Sequence, residues 1–276
     1  MPRDLDIPMP RIPVMGLVSG LLTVVAASSA GWSPVKAQPV ADAKGAYLRI
    51  GAGVRWPEST VLKDQDCSST NPPALFGCGK GNDGDRLGAD GAFRQSPLVD
   101  LAVGYRWSPW LRTEALLNWS PQLTYEGQSN FLGPAGSNQP VSASGHALAG
   151  FAVVYVDAPP VVGVRPFLGA GLGAARTELG DVTYRFPGIA AADATTTTQG
   201  GTSTSLAYLL TAGVSLPLSE RIALDLAYRW TDFGTVKTRT GTAEIVRPNR
   251  KTSLTIGGTE MDWTSQAVLA SLRFRF

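Results

Sequence analysis

From residue 45 to the C-terminus, apolar and non-apolar side chains repeatedly change places every second residue. A period of two puts each set on its own face of an extended strand. In GAYLRIGAGVRW, Ala46, Leu48, Ile50, Ala52, Val54 and Trp56 share one face, and Tyr47, Arg49, Gly51, Gly53 and Arg55 the other. Soluble sandwich strands rarely carry arginine and glycine so regularly on their second face. A wall with hydrocarbon on one side and a polar interior on the other accounts for both faces, and each run has about the ~9–11 residues that a tilted strand needs to cross a bilayer.

Seven further runs follow. PLVDLAVGYRW sets Val99, Leu101, Val103, Tyr105 and Trp107 against Asp100, Gly104 and Arg106; LRTEALLNWS sets Leu111, Ala115, Leu117 and Trp119 against Arg112, Glu114, Asn118 and Ser120. GHALAGFAVVYVD (145–157) is apolar on both parities, so its faces stay unassigned. RPFLGAGLGAAR (165–176) opposes Leu168, Ala170, Leu172 and Ala174 to Phe167, Gly169, Gly171 and Gly173, and SLAYLLTAGVSLPL (205–218) alternates Leu206, Tyr208, Leu210, Ala212, Val214 and Leu216 with small or polar residues. RIALDLAYRWTDFG (221–234) sets Ile222, Leu224, Leu226, Tyr228 and Trp230 against Asp225, Arg229 and Thr231. The closing run, WTSQAVLASLRFRF, sets Val268, Ala270, Leu272, Phe274 and Phe276 against Ser271, Arg273 and Arg275.

The connections alternate in length: 57–95 is long and 108–110 short, 123–144 long and 158–164 short, 178–204 long and 217–220 short, with 234–262 long again. Short turns at one end and long loops at the other predict an all-β, eight-stranded antiparallel up-and-down transmembrane β-barrel with short periplasmic turns and four long extracellular loops. Trp56, Trp119 and Trp230 then fall at the long-loop end and Trp107, Trp110 and Phe276 at the other, the two aromatic girdles expected at the membrane interfaces. In lipid every backbone polar group needs a partner within the protein, so the last strand must pair with the first.

Residues 1–37 read as a cleaved secretory signal peptide: IPVMGLVSGLLTVVAASSA (12–30) follows Arg3 and Arg11, and Val35 and Ala37 have signal-peptidase spacing. A short linker, 38–44, leads into the barrel domain, 45–276. Cleavage removes three cations and two anions, taking the formal charge from +2 to +1, which gives no reason to expect nucleic acid as a partner. Export also favours a disulfide between Cys67 and Cys78, the two cysteines of the chain. Zinc is the weaker use, since the single histidine, His146, is remote in sequence.

The interior of this barrel would hold Arg49, Arg55, Asp100, Arg106, Arg112, Glu114, Asp225, Arg229, Arg273 and Arg275. Eight strands leave a lumen just wide enough for side chains, so these charges must pair across it or hold water. A structural salt-bridge network that plugs the barrel is the expectation; a narrow anion-preferring pore is the alternative, because arginine outnumbers acid.

RPFLGAGLGAA (165–175), AYLLTAGVSLPLSERIALDLAYRWTDFG (207–234) and the terminal ASLRFRF resemble the opacity-protein-like, eight-stranded outer-membrane β-barrels of Gram-negative bacteria. The resemblance implies a non-enzymatic, structural, surface-exposed antigen whose loops are available for adhesion. The alternatives are a porin-like channel or a small-ligand-binding barrel. It also implies that Leu272, Phe274 and Phe276 form a C-terminal signal read by the barrel assembly machinery, with outer-membrane lipids and lipopolysaccharide as surroundings. The long first loop with its cysteine pair departs from the short-looped members.

Other motifs carry less. Ser142 and Ser144 beside His146 are the only visible start for a lipid A-modifying hydrolase, and no distinctive motif surrounds them. GAGLGAA fits G-x-G-x-x-A but no helix pattern follows, so no cofactor is expected. GNDGDRLGADG (81–91) is a single acidic tract without the repeat that binds calcium, so no metal is expected. ADATTTTQGGTSTS (192–205) reads as a solvated loop tip, and Lys237, Arg239, Arg247, Arg250 and Lys251 as cations able to meet lipopolysaccharide phosphates.

Overall fold

The computed structural model describes residues 44–276 except 134, 135, 137 and 190–193. The expected signal peptide and all but the last residue of the linker lie outside the described residues. Among the described residues no helix is long and apolar enough to cross a membrane. The strands are β1 (Gly45–Pro57), β2 (Ser59–Asp64), β3 (Ala89–Phe93), β4 (Ser96–Arg106), β5 (Leu111–Ser129), β6 (Pro140–Asp157) and β7 (Arg165–Leu179). They continue with β8 (Val182–Arg185), β9 (Thr195–Thr198), β10 (Gly201–Pro217), β11 (Ile222–Lys237), β12 (Gly241–Arg247), β13 (Arg250–Ile256) and β14 (Thr259–Arg275).

Eight of these pair antiparallel around a ring, β1–β4–β5–β6–β7–β10–β11–β14, and β14 returns to β1 in the register Leu48↔Phe274, Ile50↔Leu272, Ala52↔Ala270 and Val54↔Val268. This is the closed eight-stranded wall that the alternation predicts. The faces follow the sequence: Ile50, Val54, Val99, Leu101, Val103, Leu117, Leu168, Leu172, Leu206, Leu210, Leu226 and Val268 are exposed outward, while Arg49, Asp100, Arg112, Glu114, Asp225, Arg229 and Arg273 are buried inside. On β6, whose faces the sequence leaves open, Ala149, Phe151, Val153, Tyr155 and Asp157 point inward and Leu148, Val154 and Val156 outward.

The wall differs from expectation in height. β5, β6, β10 and β14 have 19, 18, 17 and 17 residues, well beyond a membrane span, and the long loops contain six further strands. β2 and β3 form a hairpin between β14 and β5, continuing the wall above β1 and β4. A branch of the same sheet runs β6–β8–β9–β12–β13. The threonine tract expected as a solvated tip supplies β9, with Thr196 and Thr198 buried, because β-branched side chains suit a pleated, half-buried surface.

Above the bilayer the polarity of the wall inverts. On β14, Met261 and Trp263 are buried while Glu260, Asp262 and Thr264 turn outward; further along, Ser271 and Arg273 are buried and Leu272 faces out. β5 makes the same change through a bulge between Ser120 and Leu123, after which Leu123 and Tyr125 point inward. A second bulge lies between Asp232 and Thr235 on β11, where Gly234 takes φ +72°. An extra residue flips the parity of everything beyond it, so the strand can change from inside-out to ordinary globular order where it leaves lipid.

Cys67 and Cys78 are joined, with Cα atoms 4.9 Å apart. The segment they bracket is tied down by Asp64, whose carboxylate accepts the backbone N–H groups of Leu75, Phe76 and Gly77 at 2.8–3.0 Å. That clamp places Phe76 inside the extension, stacked on Phe131 at 5.0 Å and edge-on to Tyr184 at 5.9 Å.

Candidate functional site

The lumen has two storeys. In the membrane-spanning half, inward positions of six strands meet in one network. Glu114 on β5 pairs with Arg49 at 2.6 Å, accepts a hydrogen bond from Tyr47 at 3.0 Å and lies 3.6 Å from Arg112. Asp100 on β4 pairs with Arg229 of β11 at 2.7 Å and Arg49 at 3.5 Å, and accepts from the Asn118 amide at 2.7 Å. Asp157 on β6 binds Arg106 at 2.7 Å and Arg112 at 3.0 Å, and Asp225 on β11 binds Arg273 at 3.2 Å and Arg112 at 3.7 Å.

Four acids thus face seven buried arginines, Arg49, Arg55, Arg106, Arg112, Arg165, Arg229 and Arg273. Ring faces take up part of the excess. Arg112 lies 4.4 Å from the centre of the Tyr155 ring and 4.8 Å from that of Phe167; Arg55 lies 4.5 Å over Phe233 and 5.4 Å over Trp263. A cation over an aromatic face is attracted by the ring quadrupole, the more so away from water. β7 makes room for these rings: a Cβ on Gly169 would sit 2.6 Å from Tyr155 Cδ1. The space left among Arg49, Arg112, Tyr155, Asp225 and Arg229 is about 10 Å³. That is about the ~10–15 Å³ that a single water needs.

In the extracellular half the filling is apolar. Leu62, Phe93, Leu123, Tyr125, Val141, Val182, Tyr184, Phe186, Phe233, Val236, Met261 and Trp263 form one buried cluster. Trp263 stacks on Phe233 at 4.1 Å and packs on Phe93 at 5.3 Å. Arg55 joins the storeys, donating hydrogen bonds to Ser120 and to Asn118 while its guanidinium lies beneath the Phe233 and Trp263 rings.

Nine of the ten interior charges expected from the sequence are buried in this lumen, and Arg275 is not. It is the last residue of β14, where the turn at 218–221 folds under the wall; its guanidinium donates to the Glu220 carbonyl at the rim. The sequence reading missed Asp157, which ends the run with unassigned faces, and Arg165, which donates to the Pro109 carbonyl at 2.9 Å. The parity of Asp157 with Phe151 and Tyr155 was the available signal.

Trp107, Trp110 and Phe276 are exposed at the end of the short turns, and Trp56 and Trp119 at the other end, with Trp230 half-buried beside Tyr208. Trp56, Gln266 and Trp230 occupy one cross-strand row. Leu272 and Phe276 face outward, and the Phe276 N–H closes on the Ala46 carbonyl. An Arg273→Ala chain should insert at normal levels but unfold at lower urea, since Asp225 loses one of its two arginine partners, whereas Phe276→Ala should lower the inserted amount and leave the urea midpoint unchanged. Equal insertion defects on immunoblots of outer-membrane fractions would refute this division of labour.

The remaining candidates are placed apart from the lumen. His146 is outward, 3.6 Å from Glu178, and no hydrogen bond joins it to Ser142 or Ser144. In the acidic tract, the Asn130 side-chain amide and then the Asp85 N–H hold the Asp83 carboxyl below its usual range. Of the last-loop cations, Lys237 pairs with Glu260, Lys251 with Glu244, Arg247 covers the Phe186 ring and Arg250 donates to Thr252, so most are engaged internally rather than free for phosphate.

The family model described as outer membrane protein beta-barrel domain matches residues 20–258. An uncharacterized protein of Brucella abortus is 28% identical over 230 residues, 78% of each chain. A protein of Rickettsia canadensis named as a candidate adhesin is 30% identical over 178 residues, 64% of this chain and 73% of that one. Among solved structures, the outer membrane protein OprG from Pseudomonas aeruginosa is 15% identical, covering 84% of this chain and 96% of its own, with a TM-score of 0.47.

Proposed function

The chain belongs to the family of outer membrane proteins built on the β-barrel domain, and from that premise we propose that it is a closed, non-enzymatic barrel carrying a rigid extracellular platform for surface contacts. One observation supports this above the rest: the lumen is filled along both storeys, by paired arginines below and aromatic rings above. A wall built only to conduct has no use for an aromatic core outside the membrane. The platform offers outward-facing threonine, lysine, arginine and acid side chains, suited to polar contacts with a surface partner. The name of the Rickettsia relative fits such a role. Lipopolysaccharide forms its surroundings and the barrel assembly machinery inserts it.

Planar-bilayer recording on the purified, folded protein is the test. No discrete conductance steps are expected at any polarity. Reproducible anion-selective steps would overturn the closed-barrel reading and favour a pore lined by the arginines.

A further inference from the structure

The lipid-facing wall is not uniform. Between β4, β5, β6 and β7 it holds a groove of about 500 Å³, with Val99, Leu101, Leu117 and Leu148 as its apolar lining and Trp119, His146, Arg176 and Glu178 at its extracellular edge. The depression has a cause in the sequence: along one cross-strand row Leu117 is followed by Gly150 and Ala174, and in the next Ala115 is followed by Ala152 and Leu172. A Cβ on Gly150 would meet nothing within 4 Å. The row above reads Trp119, Leu148, Arg176, so a guanidinium stands in the row of a girdle tryptophan, across Leu148 from it.

We propose that this groove binds one phosphorylated, acylated glycolipid of the outer leaflet, an acyl chain lying over Gly150 and a phosphate meeting Arg176. The volume lies within the ~300–1,000 Å³ usual for small-molecule sites. The floor faces hydrocarbon, so its occupant must itself be an amphiphile of the membrane. Charge selects the headgroup: Arg176 has no carboxylate or hydrogen-bond partner among the described residues, while the rim's one acid, Glu178, lies 3.6 Å from His146. Guanidinium and phosphate can form two parallel charge-assisted hydrogen bonds. Lys237, Lys251 and Arg247 of the platform are engaged with Glu260, Glu244 and the Phe186 ring, whereas Arg176 is the cation that lines the groove at the girdle.

The test uses the full folded protein in detergent micelles, titrated with diphosphoryl lipid A and with the same lipid stripped of phosphate. Binding is read by native mass spectrometry. The phosphorylated form should bind about tenfold more tightly, as two charge-assisted bonds allow. Arg176→Gln should remove that difference and keep the weaker binding of the stripped lipid. Gly150→Leu fills an open position without touching the lumen, and it should lower affinity for both lipids while the urea midpoint stays that of the parent. Inorganic phosphate alone should not displace the lipid at millimolar concentration. Unchanged binding in both variants, equal affinity for the two lipids, displacement by free phosphate, or a cross-linked second barrel covering Gly150 would each overturn the proposal.

Discussion

Glu114→Ala should lower the stability of the folded barrel by about 3–5 kcal/mol, the usual cost of leaving buried charge without its partner. The carboxylate touches Arg49, Arg112 and the Tyr47 hydroxyl, so its loss strands groups from β1 and β5 that water cannot reach. Glu114→Gln keeps the shape and an acceptor for Tyr47 and should fall between the two. The double replacement of Arg49 and Glu114 by methionine should recover much of the loss, because the stranded charge is then removed along with its partner. The readout is the urea midpoint of the heat-modifiable, folded band on gels. A Glu114→Ala midpoint within experimental error of the parent would mean that the network closes up without it and is not what holds the lower storey.

Trp263→Ala should act on the other storey. Removing a fully buried indole typically costs about 3–5 kcal/mol through lost transfer energy and the cavity left behind. Trp263 touches Phe93, Phe233 and Arg55 above the network but none of the ion pairs below, so the damage should stay outside the membrane. Protease added to intact cells should then cut the segments around 57–95 and 234–262 faster than in the parent. The membrane half should remain as a protected, heat-modifiable core. If that core were lost together with the extension, the storeys would form one cooperative unit and the division would fail.

Much of the membrane half was legible, because lipid imposes a period of two that no other solvent asks of an arginine-bearing strand. Leu101, Val103 and Asp100, Arg106 announce their faces without help from tertiary structure. The upper storey was hidden for a physical reason: there the inside is apolar and the outside polar, so residues such as Glu260, Asp262 and Thr264 look like loop when judged by composition alone. Met261 and Trp263 between them carried the alternation. The bulges at Ser120/Leu123 and Asp232/Thr235 break the parity where a reader would follow it, and the pairing of Asp157 with Arg106 and Arg112 spans distances in sequence that no local pattern encodes.

The seam between β1 and β14 has a temporal consequence. The strand that begins the wall at Gly45 finds one of its two neighbours only when residues 265–275 have been made and exported. Until then any inserted fragment would hold two rows of bare N–H and C=O groups against hydrocarbon, each costing several kcal/mol. There is therefore no partly built barrel that can wait in the bilayer. Insertion and closure are coupled, since the wall has every backbone group paired in lipid only once β14 has met β1.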